Sequence, residues 1–272
     1  MIGASRKSFE DLRERYDAQE SGAGANDLAA LADGLRSCLH LLDREHALRR
    51  ALGDPAQAAD RKAELVSGLL RAQVSTQVLE LVTEAARLRW SKPTDLTDAI
   101  EQLAVLSDAG AAEKDGKLDA VEDELFRFAR IVDAQSELRA ALTDQAAPVD
   151  SKRALLEDLL SDRVTATTLR LLTELVSHPR GRALDRGLDV VARYVAQRRR
   201  RLMALVRTAV ELDDDRKARL TAALARLYGH EIHLNVEHDP DVVGGVSVQV
   251  GDEIIDGTIL GRLDVARRRT AG

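Results

Sequence analysis

With 272 residues the chain is long enough for about two domains that bury their own cores without metal or disulfide staples. Its one cysteine, Cys38, excludes an intrachain disulfide framework, and 46 acidic against 40 basic side chains leave a formal charge of −6, which argues against a surface built to neutralise phosphates. Only 3% of residues are aromatic, so helices packed through aliphatic side chains are favoured. Met1 to Glu10 starts positive but has no apolar stretch behind it, so it does not read as a secretory signal. No window approaches the roughly 20 apolar residues that cross a bilayer. The chain reads as intracellular, and if it works at a membrane another chain must hold it there.

The helical text contains an internal copy. Sliding the chain against itself by 90 residues aligns Asp43 to Glu84 with Asp133 to Glu174 without a gap. Leu48-Arg49 meets Leu138-Arg139, Asp54 meets Asp144, Asp60 meets Asp150, Lys62 meets Lys152, and Thr83-Glu84 meets Thr173-Glu174. Polar matches such as Asp60 and Lys62 do not follow from helical periodicity, so a duplication is inferred. Leu28, Leu31 and Leu35 pair with Leu118, Val121 and Leu125 and extend the unit toward the N-terminus.

Each copy predicts several amphipathic helices. In the second, Leu155, Leu156, Leu159 and Leu160 form one apolar stripe, and Leu169, Leu172, Leu175 and Val176 the next, to be buried against neighbouring helices. Breaks are expected at Gly53-Asp54-Pro55, Ser91-Lys92-Pro93, Ala147-Pro148 and His178-Pro179-Arg180-Gly181, because proline disfavours helix in the residue before it. A long helix is expected from about Gly181 to Arg201, then a strand within Leu202 to Leu212, a helix over Asp213 to Tyr228 opened by acidic residues, and a strand at Ile232 to Val236. Val246, Val248 and Val250 alternate with Ser247 and Gln249, a half-buried strand. Gly244 and Gly245 lead into it, Gly251-Asp252 turns it, Glu253 to Ile255 returns, and Asp256 stands where an N-cap would open a final helix. The predicted fold is mainly α: helical bundles at 1–93 and 94–201, then a small α/β domain with a β-hairpin at 202–272.

Catalytic and cofactor motifs are absent. There is no G-x-x-x-x-G-K-S/T loop and no G-x-G-x-x-G after a strand, so nothing suggests ATP binding or any cofactor. His230, His233 and His238 lack a completing cysteine, and His40 and His46 are six apart rather than four, so no metal site is predicted. Trp90 reads as a core anchor and Cys38 as a structural thiol. The run Arg198 to Arg201 offers an alternative function, a helical regulator binding nucleic acid or an acidic partner. The simpler reading is a solvated charge run near a helix C-terminus.

The C-terminal text resembles the delta subunit of the rotary ATP synthase, the family of the mitochondrial oligomycin-sensitivity-conferring protein. His233 to Asp252 looks like that family's strand, its "D-P-x-hydrophobic-hydrophobic-G-G" run through Gly244-Gly245, its next strand and its "G-D" turn at Gly251-Asp252. Asp256-Gly257-Thr258 followed by Gly261-Arg262-Leu263 matches the "D-G-S, G-R-L" ending, with Thr258 in place of Ser. Gly116 to Leu125 and Ser136 to Leu142 are similar too, so the resemblance covers about residues 94–272. It implies a non-catalytic stator subunit of the peripheral stalk, gripping the N-terminal helices of the alpha subunits with a helical bundle and the b subunit with the α/β domain. Membrane association, at the cytoplasmic face, would come only through those partners. The family has one such bundle, so residues 1–93 are extra, and the second copy is the one expected to bind the head.

Overall fold

The structure is a computed structural model that describes residues 3–201, 203–210, 212–228, 232–239, 242, 244–250 and 253–256. The helical text forms α1 (Ala4–Glu20), α2 (Ala25–Arg44), α3 (His46–Gly53), α4 (Ala59–Leu70), α5 (Thr76–Arg87) and α6 (Pro93–Lys114). It continues as α7 (Leu118–Ala134), α8 (Ser136–Thr143), α9 (Val149–Leu160), α10 (Ala166–Ser177) and α11 (Leu184–Arg201). The ends fall where local chemistry stops a helix. Pro93 opens α6, where its missing N–H would have had no helical partner. Ser75 and Thr165 cap α5 and α10 by accepting from the backbone N–H of Val78 and Thr168.

Two units make up the chain, Met1–Val195 and Ala196–Gly272. In the first, α3, α4 and α5 recur as α8, α9 and α10 shifted by 90 residues at both ends. The repeat reaches individual hydrogen bonds. Asp54 turns the chain by accepting from Ala56 N at 2.8 Å, and Asp144 does the same for Ala146 N at 2.9 Å. The same shift places α1 on the first turns of α6, and α11 on them as well. α6 thus closes the first set of helices and opens the second. It packs along α2 and against α1, α3 and α5, and also against α7 and α10. A helix with neighbours on every side needs no polar face. Ala99, Ile100, Leu103, Leu106, Ala109 and Ala112 are all buried, and so are Ser107 and Asp108. The 93/94 junction coincides with the start of α6, whose side chains share one apolar core with Leu12, Tyr16, Leu35 and Leu81.

One expectation needs correcting. The stripe Leu155, Leu156, Leu159, Leu160 is only partly covered: Leu156 is buried, whereas Leu159 is 37% exposed, as its counterpart Leu69 is 43% exposed. α4 lies against α5 and α9 against α10 as helical hairpins at the rim, so each finds one main neighbour to cover its stripe.

The second unit contains β1 (Met203–Thr208), α12 (Asp214–Tyr228), β2 (His233–His238), β3 (Val246–Val250) and β4 (Glu253–Asp256). The sheet order is β2-β1-β3-β4, with β1 and β2 parallel and the other pairs antiparallel. Alternation decides the faces. Ala204 and Val206 of β1 and Val248 and Val250 of β3 meet Leu224 of α12 in the core, while Arg207 and Gln249 belong to the other face. The strand expected within Leu202 to Leu212 is thus the shorter β1. Asp213 accepts from Arg216 N at 2.7 Å and opens α12. Gly244 and Gly245 have φ of 63° and 87°, the left-handed region that glycine enters without strain, and they aim β3 into the sheet. Asp256 is the last residue of β4, opposite Ser247. Gly251, Asp252, Gly257, Thr258, Gly261, Arg262 and Leu263, with the final helix expected there, lie outside the described residues.

Candidate docking surfaces

Where the second copy meets the first, α2 and α6 carry ions that α10 and the loop after it complete. Asp108 of α6 is fully buried and pairs with Arg36 of α2 and, at 2.9 Å, with Arg170 of α10. Burial pulls the Arg36 pKa below its ordinary value although Glu174 and Asp33 counteract it. Arg180 has φ of 52°, an unusual conformation for a side-chain-bearing residue. Its guanidinium is held by Glu101 at 2.5 Å, Asp43 at 2.8 Å and Asp98 at 3.1 Å, so both copies fix the turn. Burial alone would lower the Arg180 pKa; those three carboxylates raise it instead.

Three further side chains converge at this seam. His40 Nε2 lies 2.6 Å from Glu174 Oε1, His178 Nδ1 lies 3.4 Å from Glu174 Oε2, and the two rings stack with centroids 3.7 Å apart. Burial pushes the Glu174 carboxyl up, but the His178 and His40 rings set against it outweigh burial and hold the pKa down to about 2. Glu174 lies in the last turn of α10, His178 is the residue that ends it, and His40 comes from a helix 134 residues away.

The same positions in the second copy look different. A shift of 90 residues carries Arg36 to Phe126, Leu39 to Ala129, His40 to Arg130 and Asp98 to Leu188. In the first copy this face is met by Arg170 and Glu174 of α10. In the second it lines an open groove of about 870 Å³ between α7, α8, α10 and the start of α11. Phe126 is 59% exposed, with the Arg130 guanidinium 5.9 Å above its ring. Leu142, Val176 and Leu188 form the apolar floor, and Arg139, Lys152 and Arg182 stand among Asp133, Asp185 and Asp189 around it. Such a groove can take the apolar stripe of a helix, with charges at its sides to fix the register.

The other sequence readings resolve as follows. Trp90 is buried and its indole N–H donates to Ala85 O at 2.7 Å, so it anchors the core. Cys38 is buried, and burial pushes its thiol up to about 11, far from a reactive thiolate. Arg198 is 3% exposed, which corrects the reading of Arg198 to Arg201 as a uniformly solvated run and leaves its first residue no access to a phosphate backbone. His230 lies outside the described residues, His238 is exposed, and His46 is exposed. Sequence spacing gives no sign of the part His40 plays at the seam, because spacing compares neighbours along a chain and its partner Glu174 lies in the other copy. Among the described residues no helix is long and apolar enough to cross a membrane.

Residues 106–269 match the family described as ATP synthase delta (OSCP) subunit. The chain is 52% identical over 269 residues to the ATP synthase subunit delta of Streptomyces avermitilis, covering 99% of this chain and 98% of that one. The protein of the same name from Thermobifida fusca is 48% identical over 272 residues and covers 100% of both. Residues 1–93 therefore lie within the length that this chain shares with these relatives. A chain in the cryo-electron microscopy structure of the Toxoplasma gondii mitochondrial ATP synthase hexamer is 20% identical with a TM-score of 0.34, covering 62% of this chain and 97% of that one.

Proposed function

Because the chain belongs to the ATP synthase delta (OSCP) subunit family, we propose that its two units make two separate attachments, the helical unit to the N-terminal helices of the alpha subunits and the α/β unit to the long helix of the b subunit. The protein is a non-catalytic stator subunit, part of the peripheral stalk that resists rotor torque. Its work is binding. In this reading attachment through both partners holds it at the cytoplasmic face of the cell membrane, and among the described residues no helix is long and apolar enough to cross a bilayer.

The open groove around Phe126 is the observation that carries the first attachment. It lies in the second copy, the part of the helical unit that the family match covers, and its first-copy counterpart is already met by α10. The first copy then acts as a buttress: its α2 and α5 enclose α6, and its Asp43 and His40 hold the loop and helix that follow. A stator contact has to outlast many rotation cycles, and nanomolar binding corresponds to roughly −12 kcal/mol. Two attachments on one chain add avidity that a single small groove lacks.

Separate binding assays with an alpha-subunit N-terminal peptide and a soluble b fragment test the division. Gly245 has φ of 87°, so Gly245→Val strains the turn into β3 by about 1–3 kcal/mol and is expected to weaken b binding while sparing the alpha peptide. Loss of alpha binding with b binding intact would reverse the assignment. The family-motif residues Gly244, Gly245, Gly251, Asp252, Asp256, Gly257, Thr258, Gly261, Arg262 and Leu263 serve, in this reading, a structural role in the b-binding unit rather than contacting a ligand.

A further inference from the structure

We infer that His40, Glu174 and His178 form a binding site for a divalent transition metal of the Zn2+ class, joining the first helical copy to the second. One donor atom from each residue, two imidazole nitrogens and a carboxylate oxygen, lies within 4.8 Å of the other two. Two imidazoles and a carboxylate are a donor set that Zn2+ accepts, with a water in the fourth position. Glu174 presents its carboxylate from the last turn of α10, His178 is the residue that follows the end of that helix, and α2 supplies the third donor.

The site is only partly satisfied by its own hydrogen bonds. His178 Nδ1 is buried and has no hydrogen-bond partner even though the Glu174 carboxylate is 3.4 Å away. A metal ion would give that nitrogen a partner, with His40 supplying a second nitrogen and Glu174 a negative charge. Side-chain exposures of 33% for His40, 25% for Glu174 and 36% for His178 leave a route for the ion and its water. Arg36 and Arg170 add positive charge beside the site, and Asp108, paired with both, offsets one of them. Bound metal would clamp residues 134 positions apart in sequence and so favour the closed seam over any state in which the copies separate.

The test uses the full chain, stripped with a chelator and titrated with Zn2+ by calorimetry and with Co2+ by visible absorption. One equivalent is expected to bind at micromolar metal and to raise the unfolding temperature of the helical unit. His40→Ala and His178→Ala should each weaken that binding at least tenfold and remove the metal-induced temperature shift. A triple replacement of His230, His233 and His238 by Ala, and His46→Ala alone, should leave both unchanged. Circular dichroism of the metal-free variants separates lost binding from lost fold, because the metal-induced shift is read against each variant's own baseline. Absence of saturable binding, or binding that survives His40→Ala and His178→Ala, would overturn the inference.

Discussion

The two helical copies share the lengths of α3, α4 and α5 with α8, α9 and α10, the turn hydrogen bond of Asp54 and Asp144 and the cap of Ser75 and Thr165, yet they differ at the face that begins with residue 36 in one and residue 126 in the other. Arg36 is buried in an ion network, whereas Phe126 is 59% exposed. The lesson concerns what a duplication leaves unfilled. A repeat stacked on a copy of itself satisfies one copy's outer face with the other's helices, and the last copy keeps that face open. Here the closed version holds charge at Arg36 and Asp98, and the open version is apolar at the matching positions, with Phe126 exposed and Leu188 in the groove floor. Ionic pairs give a seam its register, and an exposed apolar groove suits an incoming partner.

The heaviest blow to this comparison is removal of the seam's central charge. Asp108→Ala leaves Arg36 and Arg170 without their shared buried partner and is expected to destabilise the helical unit by about 3–5 kcal/mol in urea unfolding. A loss under 1 kcal/mol would mean that the seam is held by apolar packing alone.

Closer contrasts come from paired positions. A Cβ on Gly34 would lie 2.5 Å from Val78 Cγ2, so Gly34→Ala is expected to cost about 1–3 kcal/mol, and Val78→Ala on top of it should recover part of the loss. At the counterpart, Glu124 accepts from Thr165 N at 2.9 Å and from Thr165 Oγ1 at 3.0 Å, beside the cap of α10. Glu124→Ala is expected to cost about 1 kcal/mol. The same α2–α5 approach is thus closed by a missing side chain in one copy and by a carboxylate in the other.

The mildest probe is chemical. Burial pushes the Cys38 thiol up to about 11, so native protein should react with a thiol reagent only at the rate at which the first copy opens. Labelling that keeps pace with an unfolded control would show that α2 is loosely held.

Much of this was readable before any coordinates. The 90-residue repeat, the breaks at Pro55, Pro93, Pro148 and Pro179, the alternation in β3 and the glycine pair ahead of it are all local patterns, and each corresponds to a feature of the structure. The groove and the seam were not readable, because they depend on which helix lies over which. Nothing in the sequence around Asp108 marks it as the partner of Arg36 and Arg170, which other helices bring to it. Leu159 reads as core until α9 is seen at the rim. One signal did stand in the text. From Ile100 to Ala112 the chain is apolar or small on nearly every side of the helix, and such loss of amphipathic period marks a helix surrounded by neighbours. That run belongs to α6, the helix both copies use.

The central claim, that the open face of the second copy receives a partner helix while the first copy's equivalent face serves the internal seam, is tested most directly by titrating an alpha-subunit N-terminal peptide into the full chain and two variants. Phe126→Asp is expected to weaken binding at least about tenfold, a loss of about 1.4 kcal/mol or more. Leu65→Asp, at a leucine that is 41% exposed in the first copy, should bind like the parent protein. Parent-like binding by Phe126→Asp together with lost binding by Leu65→Asp would contradict the account and move the docking site to the first copy.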